Sequence, residues 1–123
     1  MFPAFSYVRP RTLDEASEAL AGGKARIHAG GTDLLGCLHD RVFGAEKLVS
    51  LSALDGLRGI TPTGEGGLRI GAMTTIAELA ASDAVRTRFT ALAGAASQVA
   101  SPQLRNQGTL GGNLCQKPRC WYY

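Results

Sequence analysis

Apolar residues recur along this chain first at helical spacing, then at strand spacing, and the two periods alternate. Leu13, Ala16 and Leu20 fall on one face of a helix over Thr12–Leu20, which Thr12 and Glu15 begin with the spacing of a capping box. Gly22-Gly23 ends that helix, and Ala25, Ile27 and Ala29 alternate with Lys24, Arg26 and His28 as in a short strand. Gly30-Gly31 turns the chain into a second helix carrying Leu34, Leu35 and Leu38, with Thr32 or Asp33 as its cap. Lys47 to Leu51 reads as a further strand, so the first part forms a β-α-β unit with a small parallel sheet.

The pattern then changes. Leu57–Ile60 and Leu68–Ile70 flank the turn-rich run Thr61 to Gly67 and predict an antiparallel hairpin. Thr75 and Glu78 repeat the capping-box spacing and open a short helix. A longer helix is expected over about 88–100, with Phe89, Leu92, Ala95, Ala96 and Val99 on one face, stopped at Ser101-Pro102. Beyond it the sequence predicts a glycine-rich loop and an aromatic end, Trp121-Tyr122-Tyr123. The overall class is α+β.

Composition narrows the function. The 123 residues suffice for one domain, and a hydrophobic share of 45% is that of a globular protein. No apolar run nears the roughly 18 residues of a membrane span, and the first residues lack the form of a secretory signal. A cytoplasmic protein is expected. Cys37, Cys115 and Cys120 are too few and too uneven for a disulfide framework. Residues 1–83 hold 8 basic and 10 acidic groups, whereas residues 84–123 hold 5 basic groups and no acid. Five scattered charges read as a solvated surface. With no basic run interleaved with aromatics, nucleic-acid binding is not indicated.

Two glycine segments carry candidate chemistry. In Ile27-His28-Ala29-Gly30-Gly31-Thr32-Asp33-Leu34, a strand feeds a two-glycine turn into a helix. Backbone N–H groups at such a turn suit a phosphate, although Gly-Gly before a helix also serves as a plain tight connection. The carboxylate of Asp33 opposes an anion and is expected to point away. The second segment, Thr109-Leu110-Gly111-Gly112-Asn113, predicts a backbone cradle for anionic oxygens. Together the two could clamp the paired phosphates of a dinucleotide. No G-x-G-x-x-G is present, which excludes the Rossmann fingerprint.

Four segments in order resemble the flavin subunits of the xanthine dehydrogenase and carbon monoxide dehydrogenase family of molybdenum hydroxylases. They are Phe5 to Ala16, Ala29 to Leu34, Ile70 to Thr75, and Ser101 to Asn113. The resemblance implies the N-terminal portion of an FAD-binding medium subunit. Its fold would be the α+β FAD-binding fold of the vanillyl-alcohol oxidase/PCMH type. It implies a first subdomain over about 1–55 and the start of a second over about 56–123. FAD would lie between them, held by Ile27, His28, Ala29, Gly30, Gly31, Thr32, Asp33 and Leu34 and by Thr109, Leu110, Gly111, Gly112 and Asn113. Met73, Thr74 and Thr75 would shape the cleft, and no residue would be catalytic.

In such enzymes a molybdenum-cofactor large subunit oxidises the substrate. A small subunit with two 2Fe–2S clusters passes the electrons to FAD and on to an external acceptor. The ending Cys115 to Tyr123 is similar to the aldehyde oxidoreductase and 4-hydroxybenzoyl-CoA reductase subgroup, whose flavin subunit adds a 4Fe–4S cluster. Cys120 matches that cluster's first ligand. A cluster takes four thiolates, so none is expected here and Cys120 would be a plain thiol. The alternatives are a remnant that keeps the fold without flavin, and a generic nucleotide-phosphate module.

Overall fold

A computed structural model describes residues 1–122. Three short strands, β1 (Ser6–Val8), β2 (Ala25–His28) and β3 (Lys47–Ser50), form a parallel sheet in the order β1-β3-β2. β3 is the central strand, and Leu48, Val49 and Ser50 are all buried, as expected of a strand covered on both faces. Successive side chains point to opposite faces, so Val49 and Leu48 anchor different cores. Val49 packs with Ala16 and Leu54 beneath α1 (Leu13–Leu20). Leu48 packs with Leu38 and Ala45 beneath α2 (Leu34–His39).

β1 has no predicted counterpart, because three residues are too few to show alternation. In α1 the buried face is Ala16, with Ala19 and Leu20 partly buried, while Leu13 is 64% exposed. Thr12 caps the helix by accepting from Glu15 N, but Glu15 reaches back to Arg11 N rather than to Thr12. The expected inward face of β2 is also corrected. Ile27 stands beside Val49 in register yet is 52% exposed, β2 being an edge strand of which Ala25 rather than Ile27 packs with α1.

The hairpin forms between β4 (Ile60–Pro62) and β5 (Leu68–Ile70), with Ile60 opposite Ile70. It begins later than the apolar run suggests because Gly59, at φ +106°, breaks the extended backbone. α3 (Ile76–Ala81) starts with the predicted capping box, each of Thr75 and Glu78 bonding the other's backbone N–H. The single helix expected over about 88–100 is two, α4 (Asp83–Arg88) and α5 (Thr90–Gln98). Phe89 separates them with φ −135° and ψ 57°, and Ser82 caps the first through Val85 N. Ala93 and Ala96 are the buried positions of α5, whereas Ala95 faces outward.

These helices and the hairpin share a third core of Ile76, Leu79, Val85, Ala93 and Ala96. Burying a side chain such as Ile76 or Leu79 contributes about 1.5–3 kcal/mol. Pro102 does not merely stop a helix. It occupies the first turn of α6 (Pro102–Gln107), where its missing N–H costs nothing, and Ser101 is the cap. The expected glycine-rich loop is helical as well, as α7 (Leu110–Cys115) capped by Thr109.

Candidate functional site

The carboxyl ends of β2 and β3 open into a cleft of about 270 Å³. Crevices at the carboxyl ends of parallel strands are where α/β sheets take ligands. Tyr7, His28 and Ser50 reach it from the three strands, and Ala29 and Gly30 continue from β2. The facing wall is Asn106, Gln107 and Thr109, from the end of α6 and the start of α7. The two glycine segments therefore meet. A Cβ on Gly30 would stand 1.9 Å from the carbonyl oxygen of Gln107, so only glycine permits this approach.

The segments differ in how their backbone is used. Among the described residues, Gly30, Gly31, Thr32 and Asp33 make no hydrogen bond through their N–H groups. Gly31 has φ +77°, the left-handed region that favours glycine. In the second segment the N–H groups of Leu110 to Asn113 are already engaged. Leu110 N donates to Thr74 O at 2.9 Å, Gly111 N to Ala72 O at 2.8 Å and Asn113 N to Thr109 O at 3.0 Å. Gly112 N donates to Thr109 Oγ1 at 3.1 Å. The cradle expected at 109–113 is thus a joint within the protein. Gly111 is needed there because a Cβ would come within 2.9 Å of Ala72 O.

Of the predicted site residues, the structure brings His28, Ala29, Gly30 and Thr109 into the cleft, together with Met73 and Thr75. Ile27 takes Val49's side of the sheet, opposite to His28. Leu34 packs into the core beneath α2. Asn113 donates from Nδ2 to Thr109 O at 3.0 Å. Thr74 is buried and pins the turn at Gly59, accepting from its N–H at 3.0 Å. Asp33 does not cap α2. Its carboxylate turns to Arg119 Nη1 at 3.0 Å and accepts from Cys37 Sγ at 3.8 Å.

Four lining residues have no sequence signal of their own: Tyr7, Ser50, Ser52 and Arg58. Ser50 follows from topology, because it ends the central strand. Ser50 is fully buried and donates to Ser52 Oγ at 3.0 Å, and Ser52 also accepts from Arg9 Nε at 2.9 Å. Arg58 is the cationic side chain of the lining. His28 meets Tyr7 edge-on at 6.0 Å, and its Nδ1 is buried without a hydrogen-bond partner. A wider groove of about 400 Å³ between α3, α4 and α5 includes no residue of either glycine segment.

No group of three or more His, Cys, Asp or Glu side chains among the described residues is placed to hold a metal. Cys37 is buried, whereas Cys115 and Cys120 are exposed. Among the described residues no helix is long and apolar enough to cross a membrane.

The fold is that of flavin subunits in solved molybdenum enzymes. It superposes with TM-score 0.88 and 38% identity on a chain of carbon monoxide dehydrogenase from Hydrogenophaga pseudoflava, covering 93% of this chain and 40% of that one. The sequence over residues 3–119 matches the family described as FAD binding domain in molybdopterin dehydrogenase, and the chain belongs to that family. It is 42% identical over 116 residues to the xanthine dehydrogenase FAD-binding subunit of Escherichia coli O157:H7, covering 94% of this chain and 40% of the relative. It is 41% identical over 121 residues to the aldehyde oxidoreductase FAD-binding subunit PaoB of Escherichia coli strain K12, covering 98% of this chain and 38% of the relative. The chain thus spans about 40% of the length of these relatives. The cofactor of the family is FAD.

Proposed function

We propose that this chain forms part of an FAD site in a molybdenum-containing oxidoreductase, and that the first glycine segment holds the pyrophosphate. The observation that carries this reading is the contrast in backbone donors. Gly30 to Asp33 keep their N–H groups free and Gly30 lines the cleft, while Leu110 to Asn113 have used theirs. Consecutive free N–H groups in a glycine turn suit anionic oxygens. Thr109 and Gly108 back the loop from the opposite wall, where a Cβ on Gly108 would lie 3.6 Å from Thr32 Oγ1. Gly111, Gly112, Leu110 and Asn113 fix that wall without touching the cofactor. His28 Nδ1, buried and unpartnered, gives the cofactor a further polar neighbour.

Two subdomains, about 1–55 and 56–123, would then face each other across the flavin. The separate cores on either side of residue 57 support that division. A volume of about 270 Å³ is less than the roughly 300–1,000 Å³ of a complete small-molecule site, so this chain supplies part of the enclosure. When bound, FAD supplies the redox chemistry, carrying electrons from iron–sulfur clusters to an external acceptor. The protein residues bind and orient it. The partners of this reading are a molybdenum-cofactor large subunit and a 2Fe–2S small subunit, and the setting is cytoplasmic.

The test is an absorbance spectrum of the purified chain after incubation with excess FAD and desalting. Retained bands at about 370 and 450 nm, those of an oxidised flavin, are expected. A folded, colourless protein under saturating FAD would overturn the reading.

A further inference from the structure

We propose that Arg119 is a positioning residue for the first glycine segment: its guanidinium neutralises Asp33 and holds that carboxylate away from the N–H groups that receive the pyrophosphate. The inference rests on the FAD reading above and goes beyond it, because it assigns a role to the tail that follows α7.

An aspartate directly after Gly31-Thr32 is an unfavourable neighbour for a phosphate. Like charges a few ångströms apart repel, and the loop that must accept an anion carries one of its own. The usual remedy is to spend the carboxylate as a helix cap, but Asp33 makes no capping bond to α2. It is paired instead with Arg119, 86 positions further along, at 3.0 Å. The same guanidinium donates to the sulfur of Cys37 one turn into α2, and Cys37 in turn donates to Asp33. One cation thus closes a three-residue contact on the face of α2.

The charges around the contact agree with this arrangement. Asp33, through both its hydrogen bond and its charge, holds the Arg119 guanidinium more firmly protonated than usual. Burial pushes the Cys37 thiol up, and the Asp33 carboxylate adds to the shift, so the sulfur stays neutral and leaves Arg119 to the carboxylate. Asp40, the other acid near this cation, is engaged by His39 Nδ1 at 2.9 Å. The contact also seals Cys37, which has no exposed surface, although Cys115 and Cys120 are open to solvent.

The experiment compares four forms of the chain in a Cys115→Ser, Cys120→Ser background: unaltered, Arg119→Gln, Arg119→Lys, and Arg119→Gln with Asp33→Asn. Two quantities are read: the FAD dissociation constant from flavin fluorescence at low and high salt, and the rate at which Cys37 reacts with a thiol reagent without FAD. Arg119→Gln is expected to weaken FAD binding roughly five- to tenfold at low ionic strength, less at high salt. Arg119→Lys keeps the charge and most of the affinity. Adding Asp33→Asn to Arg119→Gln restores it, which a loss of mere structural support would not allow. Cys37 labelling accelerates in both Gln forms.

Unchanged affinity in Arg119→Gln, or a loss that Asp33→Asn does not repair, overturns the proposal. If the unaltered chain retains no FAD, the flavin reading fails on its own. The contact is then judged by labelling, and an unchanged Cys37 rate in Arg119→Gln refutes it.

Discussion

The two glycine segments look interchangeable in sequence, each a short run of glycine and threonine leading into a helix, yet the fold uses them in opposite ways. At Gly30-Gly31 the backbone N–H groups are left open, and Gly30 lines a cleft. At Gly111-Gly112 it is closed onto residues 72–74 and Thr109. Glycine serves the first by permitting φ +77° and close approach, and the second by letting α7 press against Ala72. A glycine-rich run before a helix therefore signals crowding or unusual backbone angles. Whether its donors remain free depends on which chain segment arrives opposite, and that is a property of the tertiary fold.

This difference can be broken experimentally, and the largest effect belongs to the contact between the two walls. Gly30→Ala places a methyl 1.9 Å from a backbone oxygen that cannot swing aside. It is expected to cost about 3 kcal/mol or more in urea unfolding and to abolish FAD retention. Gly111→Ala meets Ala72 at 2.9 Å and is expected to cost about 1–3 kcal/mol with a smaller loss of affinity. Equal effects on stability and affinity at both positions would erase the division between them.

Thr109→Ala sharpens the same comparison at smaller scale. It removes the acceptor for Gly112 N at the start of α7 and should lower stability by about 1 kcal/mol. Thr32→Ala removes no helix cap, because no side chain makes a capping bond to the start of α2. It is expected to leave the unfolding midpoint nearly unchanged and to weaken FAD binding a fewfold. A thermal melt and a flavin titration of each variant decide the point.

The smallest effect concerns α3, whose capping box sits next to the second wall. Hydrogen bonds from the Thr75 backbone and side chain hold the Glu78 carboxyl below the ordinary glutamate range. A depressed folded value means that its stabilisation is fully present above the unfolded pKa of about 4.3 and fades as pH falls through the folded one. Glu78→Gln should therefore lower stability by about 0.5–1 kcal/mol at neutral pH and flatten that part of the acid-unfolding curve. An unaltered pH profile in the variant would assign the shift to another group.

Elements whose signal lies in a few adjacent residues are legible in the sequence. Thr75 and Glu78 state their helix start directly, and Leu48 and Val49 announce a buried strand. Sequence and structure differ where local signals compete. Leu92 and Val99 continue the apolar period through Phe89, but Ser82 caps an earlier helix through Val85 and Phe89 takes a non-helical conformation. Pro102 reads as an ending in sequence, but proline at a first helical turn is equally a beginning, and here it opens α6. His28, Ala29 and Gly30 sit at a glycine turn that the sequence displays, and they line the cleft. Tyr7 and Ser52 reach the same cleft from distant parts of the chain, and nothing local in their sequence marks them.

The strand order has a consequence for how the chain comes to exist. β1 and β2 bond to β3 and not to each other, and β3 is the last of the three to be made. Until residue 50 has left the ribosome, the first two strands have no template, and the glycine turn after β2 has no neighbour to hold its shape. The sheet must then assemble in one cooperative step, with α1 and α2 waiting as marginal helices too short to persist alone. Slowing translation before Lys47 would lengthen the interval in which Phe5, Leu34 and Leu38 are open to aggregation. Slowing it after Ser50 would allow this half to close first.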